Sequence, residues 1–410
     1  MDTERAVARQ LLTDLVGIPS VSREEAAAVA FLVEWMGRRG FTAWTDEAGN
    51  GCGLRGEGPR TLLLLGHIDT VPGWIPVRVE DGVLHGRGSV DAKGSLAAFA
   101  AAAALAEPPP GWRVVVIGAV EEEIATSRGA RHVRDGFRPD LCIVGEPSGA
   151  DRITLGYKGR LLVDVTVRRP VRHSARPEPT AAALGAELWP RVAAWAAERN
   201  QGKERPFEQI QASLRSFNTH SDGFEERACL RLGFRLPSDC DPETLETVLA
   251  PWLRDYEWRA HGAERAYRAP RTSPLARRLR RAIRARGARA EHVLKTGTSD
   301  MNVVGVRWDC PIVAYGPGDS SLDHTPDERL SLDELDRAVE TLQRLIESLD
   351  EQPELPLPPL GAVPLAQPRP DLAHLGQAAV QGALHGGRQP TALARPELPD
   401  RQADLAEPLG

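Results

Sequence analysis

Leu62-Leu-Leu-Leu-Gly-His-Ile-Asp69 is a short apolar run closed by a glycine, with an imidazole and a carboxylate directly after it. The run does not alternate with polar residues. A strand of that kind must be covered on both faces, as inner strands of parallel sheets are. Three more runs repeat the pattern: Val114–Ile117 before Gly118, Leu141–Val144 before Gly145, and Ile312–Tyr315 before Gly316. Long helix-compatible stretches separate them, so the chain reads as an α/β fold with a central, mostly parallel sheet flanked by helices.

Outward from these strands, the first forty residues carry helical periodicity. Leu11, Leu12, Leu15 and Val16 form one apolar set, and Ala28, Phe31, Leu32, Trp35 and Met36 form another. The third and fourth strands are far apart, so something is inserted between them. Within it, Leu161–Arg168 and Ala228–Leu236 alternate as strands, Thr180–Arg199 and Pro242–Leu253 read as helices, and strands are expected near Ile210–Phe217 and Tyr256–Tyr267. That β-α-β-β-α-β order predicts a small ferredoxin-like α/β domain, a lid that interrupts the catalytic fold. The expected division is 1–159 and 269–350 for the two parts of the catalytic domain, 160–268 for the lid, and 351–410 for a tail. A last helix, Leu332–Leu349, would open on Ser331 with Glu334 at its third position. Residues 351–410 hold 11 of the 33 prolines and no sustained periodicity, which predicts a flexible tail without a core.

Composition narrows the function. Apolar residues are 41% and charged residues 26%, an ordinary globular mixture, and a net charge of −6 argues against a dedicated nucleic-acid binder. The longest apolar-and-small run, Leu96–Ala106, falls far short of the roughly 20 residues that cross a bilayer. No secretory signal is readable at the N-terminus. Cys52, Cys142, Cys229, Cys240 and Cys310 are scattered and never spaced as a pair, which predicts reduced thiols in a cytoplasm. Only four of the 51 basic residues are lysines, and Lys93, Lys158 and Lys295 lie inside Gly-rich motifs. Their ammonium groups there are expected to resist exchange for guanidinium.

The residues just past the strand-ending glycines are the informative ones. His67 and Asp69 come after the first, Glu121-Glu122-Glu123 after the second, Glu146-Pro147 after the third, and Asp319, Asp323 and His324 after the fourth. Asp91 sits in the loop Gly86-Arg-Gly-Ser-Val-Asp-Ala-Lys-Gly94. Taken singly, each has a bland reading: a structural His-x-Asp, a solvated helix start, a turn. Together they deliver His, Glu, Glu and His to the carboxyl edge of one sheet, where open α/β sheets build their sites. Two imidazoles and three carboxylates suit two borderline divalent ions, zinc first and cobalt as the alternative. Asp91 is the candidate to bridge them. Asp69, two residues from His67, would accept from its ring N–H. One glutamate of the triplet would remain free to move a proton.

Gly66-His-Ile-Asp-Thr-Val-Pro72, Gly86–Gly94, the acidic triplet and Val144-Gly-Glu-Pro-Ser148 resemble the di-zinc metallopeptidase family of acetylornithine deacetylase, succinyl-diaminopimelate desuccinylase, aminoacylase and glutamate carboxypeptidase. The resemblance runs from about residue 5 to 350, inserted lid included. Tyr157-Lys-Gly-Arg160, Thr296-Gly-Thr-Ser-Asp-Met-Asn302 and Tyr315-Gly-Pro-Gly-Asp-Ser320 with Leu322-Asp-His-Thr-Pro326 are most similar to the members that release lysine or ornithine from a small acidic amino-group carrier protein, in lysine and arginine biosynthesis. There the amino acid is joined to the side chain of the carrier's terminal glutamate.

The resemblance implies that His67, Asp91 and Glu146 hold one metal, that Asp91, Glu123 and His324 hold the other, and that Asp69 orients His67. It makes Glu122 the general base. The third acidic residue leaves that register open by one, with the count to Gly129 favouring Glu123 as the ligand. His173 matches a lid histidine that reaches the partner subunit's site in a homodimer and stabilises the oxyanion. Arg235 matches a lid arginine that binds the product's α-carboxylate, and Asn218, Thr298, Ser299 and Asp300 are further contact candidates. Ten arginines and no acid between Arg265 and Arg289 offer a patch that could steer an acidic carrier, or simply a solvated helix face. Two other readings stay open: a small-molecule deacylase on the same metals, and a non-catalytic binding module, although no ligand or base is missing.

Overall fold

The four Gly-terminated runs are strands, and they lie side by side. The computed structural model describes residues 2–350; the expected 351–410 tail lies outside them. The elements up to the insertion are α1 (Asp2–Val16), α2 (Ala26–Gly37), β1 (Thr42–Thr45), β2 (Gly51–Arg55), β3 (Arg60–His67), β4 (Arg78–Glu80), β5 (Val83–His85), α3 (Lys93–Leu105), β6 (Trp112–Ala119), α4 (Arg128–Gly136), β7 (Leu141–Gly145) and β8 (Arg152–Tyr157). Then come β9 (Gly159–Pro170), α5 (Ala181–Arg199), β10 (Gln211–Ser221), β11 (Glu225–Leu236), α6 (Pro242–Leu253) and β12 (Glu257–Glu264). The chain returns through β13 (Tyr267–Arg268), α7 (Pro274–Ala285), β14 (Glu291–Lys295), α8 (Asp300–Gly305), β15 (Ile312–Ala314), β16 (Arg329–Ser331) and α9 (Leu332–Glu347).

The large sheet has the order β1-β2-β6-β3-β7-β15-β8-β13, with β14 also on β8. Its centre, β6-β3-β7-β15, is parallel throughout. Leu62–Leu65 and Val114–Ile117 are fully buried, as their unbroken hydrophobicity requires. Gly66 is in register with both Gly118 and Gly145, so the strand-ending glycines form a row across the sheet. The row serves packing. A Cβ at Gly118 would stand 3.1 Å from Leu96, one at Gly145 2.8 Å from Phe99, and one at Gly66 3.3 Å from Leu96. The Ala-rich α3, buried from Lys93 to Ala103, therefore lies close against the carboxyl end of the sheet. That fixes its own start, next to Asp91, beneath the strand ends.

The insertion forms a second sheet, β10-β11-β9-β12, antiparallel at every pairing. The β-α-β-β-α-β order is the expected one, except that Tyr267 pairs with Tyr157 in the large sheet rather than ending β12. Leu161, Val163, Val165 and Val167 of β9 and Leu230, Leu232 and Phe234 of β11 pack in one core with α5 and α6. α5 and α6 leave the opposite face open, with Arg160, Asp164, Arg231 and Arg235 on it. Ser331 caps α9 by accepting from the Glu334 N–H, while the Glu334 carboxylate accepts from the Ala150 N–H at 3.0 Å. Among the described residues no helix is long and apolar enough to cross a membrane.

Candidate active site

Each strand end of the parallel centre carries its side chain to the same place. β3 ends on His67, 2% exposed, and β7 delivers Glu146, 8% exposed. After β6 the chain turns at Glu121, and the loop after β15 turns at His324; both are non-glycine residues with positive φ, +60° and +61°. Such conformations are costly and collect at functional sites. Asp91 comes from the loop before α3, where Glu328 holds it. Glu328 is 1% exposed; its Oε1 accepts from the Val90 and Asp91 N–H groups at 3.0 and 3.1 Å, and its Oε2 accepts from Arg87 at 2.8 Å.

Asp91 is the hub. Its Oδ1 is 3.2 Å from His67 Nε2, and its Oδ2 is 3.0 Å from His324 Nε2. His324 Nε2 is also 3.0 Å from Glu123 Oε2. One ligand atom from each of His67, Asp91 and Glu123 lies within 4.8 Å of the others. The second carboxylate oxygens are idle: Glu123 Oε1 and Glu146 Oε1 are buried with no hydrogen-bond partner. Glu122 has no side-chain hydrogen bond or ion pair to a described residue. Ligand atoms about 2.0–2.1 Å from a tetrahedral zinc ion stand roughly 3.3 Å apart, so these spacings fit a shared cation. Buried carboxylates facing one another without protein donors are what such an ion would compensate.

The electrostatics agree. Burial, then the charges of neighbouring acids, raises the proton affinity of Glu122, Glu123 and Glu146. The same causes push Asp300 to about 7 and Asp323 to about 8. Asp91 goes the other way: burial opposes its ionised form, but hydrogen bonds to His324 and His67 outweigh that. His324 is lifted to about 10, chiefly by its hydrogen bonds to Asp91 and Glu123.

Asp69 stands beside His67 and does more than meet it. The His67 Nδ1–H donates to the Asp69 main-chain carbonyl at 3.0 Å, with the carboxylate Oδ1 3.5 Å away. That carboxylate also accepts from the N–H groups of Glu122 and Glu123, each at 3.0 Å, and from Ser22 at 2.7 Å. Asp69 thus sets the acidic triplet against His67. Glu121 points elsewhere, bonded to Thr126 at 2.6 Å and paired with Arg128 at 3.0 Å. Glu122 and Glu123 are left facing the cluster.

Other candidates fall into two groups. Arg235 donates to Thr298, whose hydroxyl donates to the Lys158 carbonyl at 3.1 Å. Asp300 is 2% exposed with one oxygen unpartnered, and its charge acts on Glu122 and Glu146. Ser299 is a helix cap, in a box with Asn302. These lie around the acid cluster. His173 and Asn218 do not. His173 is exposed beyond Pro170, at the far end of the twelve-residue β9 that begins beside Arg160, about 36 Å away at ordinary strand rise. Asn218 pairs with Cys229 and so with Thr166, six residues along β9 from Arg160.

Supports surround the site, among them Glu328, which sequence reasoning missed, and the three lysines that it singled out. Glu328 has no local signal, because its partners at Val90 and Asp91 are over 230 residues distant. The three motif lysines are pins between segments. Lys93 donates to the carbonyls of Leu15 and Ile18 at 3.0 and 2.6 Å. Lys158 donates to Pro206 and Gln209, and Lys295 to the Pro147 carbonyl and Ser320. A compact ammonium aims three donors at diverging acceptors, which a flat guanidinium does not.

Known proteins share this geometry's sequence and fold. The LysW-lysine hydrolase of Deinococcus radiodurans is 49% identical over 346 residues, 82% of this chain and 95% of that protein. The M20 family metallo-carboxypeptidase Sso-CP2 from Sulfolobus solfataricus has the same fold, with a TM-score of 0.65 at 19% identity over 83% of this chain and 98% of that one. YXEP of Bacillus subtilis, described as a dinuclear metal-binding peptidase from the M20 family, superposes with a TM-score of 0.61 at 13% identity over 84% of this chain and 98% of that one. The profile of peptidase family M20/M25/M40 matches residues 63–348. With sequence, fold and acid-lined strand ends in agreement, the chain is a hydrolase of peptidase family M20/M25/M40.

Proposed function

We propose that this chain is a di-metal amide hydrolase that releases lysine, or ornithine, from the terminal glutamate of an acidic amino-group carrier protein. The observation that carries the chemistry is the cluster of buried carboxylates Asp91, Glu123 and Glu146 between His67 and His324, in which Glu123 Oε1 and Glu146 Oε1 have no protein donor. The 49% identity to a LysW-lysine hydrolase carries the substrate.

His67, Asp91 and Glu146 would hold one ion and Asp91, Glu123 and His324 the other, zinc by donor set, with cobalt accommodated by the same groups. When bound, such ions polarise the amide carbonyl and make water a stronger acid. Glu122, free of other bonds, takes the proton of the attacking water and gives it to the departing nitrogen. Arg235, held by Thr298, binds the carboxylate of the leaving amino acid. His173 and Asn218 lie too far along the lid sheet to serve their own site. We assign residues 160–268 a lid and dimerisation role, in which these two serve the partner subunit's site. Scattered free cysteines fit a cytoplasmic setting. The Arg265–Arg289 segment is only partly free to meet a carrier. Arg265 pairs with Asp241 and Glu243, Arg278 donates to Ser348, and Arg286 donates to Ala150 and Asp151.

The test is a side-by-side assay of the metal-loaded enzyme on the lysine-bearing carrier, acetylornithine and succinyl-diaminopimelate. Preferred release of lysine from the carrier supports the reading. Faster turnover of either small substrate overturns it.

A further inference from the structure

The lid sheet's open face divides into two halves. Along most of it, arginines are paired. Arg231 grips Asp164 with contacts of 2.6 and 3.0 Å, and Arg168 meets Glu225 at 2.9 Å and Glu257 at 3.0 Å. At the end that abuts the acid cluster the pairing stops. Arg160, Arg215 and Arg235 stand together there, and none has a carboxylate partner among the described residues.

Their placement is costly and specific. Arg235 and Arg160 are directly opposed across β11 and β9, a like-charge pair that destabilises a bare sheet. Arg215 occupies a register shift between Leu214 and Ser216, the kind of bulge that redirects a side chain. Gly233 makes room for it, since a Cβ there would come within 2.7 Å of Arg215 Cδ. Arg160 Nε donates to the Gly262 carbonyl at 3.0 Å, but its Nη2 is buried with no acceptor. Burial, then the charges of Arg160 and Arg215, holds the Arg235 guanidinium down to about 10. The three arginines line a hollow of about 230 Å³ together with Leu162, Gln211 and Ser213. The hollow adjoins the chemistry: a Cβ at Gly262 would lie 3.2 Å from Ala125, just past the acidic triplet, and the charge of Glu122 acts on Arg235.

A buried guanidinium N–H without an acceptor costs free energy that an anion would recover. The substrate proposed above carries two carboxylates, one on each side of the amide. The leaving amino acid has its own. The acyl-side glutamate, joined through its side chain, keeps its main-chain carboxylate. We propose that Arg160 and Arg215 form a second carboxylate subsite that receives this acyl-side carboxylate, so that the enzyme selects side-chain-linked terminal residues over simple acyl groups. This rests on the function proposed above, with Arg235 kept for the leaving amino acid.

The probes are N-acetyl-glutamate joined through its side chain to the lysine α-amine, and the same compound with the glutamate main-chain carboxylate converted to carboxamide. The metal-loaded wild-type enzyme is expected to favour the carboxylate form about 10- to 100-fold in kcat/KM, the worth of one charged hydrogen-bonded contact. In R160Q/R215Q that ratio falls towards one. Equal kcat/KM for the two forms in the wild type, or an unchanged ratio in the variant, overturns the proposal. Calorimetric binding of N-acetylglutamate supplies a readout without turnover and is expected to weaken about tenfold in R160Q. Unchanged binding overturns the subsite. Binding that weakens as expected while neither probe is cleaved supports the subsite and counts only against the function.

Discussion

The carboxyl edge of the large sheet and the near end of the lid sheet are charged in opposite excess. At the first, Glu122, Glu123, Glu146 and Asp300 are buried against one another with few protein donors. At the second, Arg160, Arg215 and Arg235 crowd one hollow with no acid. In contrast, charges are neutralised locally in Arg231–Asp164 on the same lid face and in Arg87–Glu328 under the Asp91 loop. The two excesses call for opposite guests, cations at one and carboxylates at the other, and an amide flanked by carboxylates fits between them.

The largest expected effect comes from E122Q, which removes the proposed proton transfer and keeps a neutral side chain of the same shape. Turnover should fall about 10²- to 10⁴-fold while metal content measured by mass spectrometry is retained. Loss of metal in that variant would move the register of the triplet by one residue.

E328Q is next. It weakens the clamp on the Asp91 backbone and on Arg87 without touching a ligand atom, and should lower metal affinity about 10- to 100-fold in a chelator competition. An unchanged affinity would show that the Asp91 loop holds itself.

The acid cluster also sets a pH dependence. Carboxyls with raised proton affinity bind more protons folded than unfolded, so the metal-free protein loses stability as pH rises. Asp300 at about 7 and Asp323 at about 8 place that loss between about pH 4 and 8. His324 acts in the same direction. Its stabilisation is complete below about pH 6.5 and fades towards its folded value of about 10. The Tm of chelated protein should therefore decline from about pH 5 to 8, and zinc, which would replace protons at Glu123, Glu146 and His324, should restore it most at the alkaline end. A Tm of the chelated protein that rises across this window would contradict the picture of uncompensated acids.

The smallest effect is the control on the paired half of the lid face. R231Q removes an exposed ion pair and should change stability by no more than about 1 kcal/mol in urea unfolding. Its preference between the carboxylate and carboxamide probes should match the wild type. A loss of that preference would dissolve the contrast between the two halves.

Much of this is legible in the chain because local pattern and global position coincide at the strand ends. Leu62–Leu65 and Val114–Ile117 are unbroken because both faces are covered, and parallel alignment then brings His67, Glu123 and Glu146 to one edge. The lid order is legible for a related reason: Leu161–Val167 alternates because only one of its faces is covered. β1 and β2 carry little signal. They are short, and Gly53 carries no side chain because Met36 Sδ lies where a Cβ would be. Glu328 and the Arg215 bulge are illegible because their meaning depends on partners far off in sequence or on a one-residue slip in register. The Ser299–Asn302 cap is readable from its spacing, which gives Ser299 a structural role.

Metal stoichiometry is the most direct test of the central claim, that the strand ends are built to hold a pair of divalent cations. Purified chain reloaded with zinc and freed of excess should carry two ions per chain by mass spectrometry, falling below one in D91A, because Asp91 touches both His67 and His324. Two ions retained in D91A, or none bound by the wild type at any zinc concentration, would contradict it.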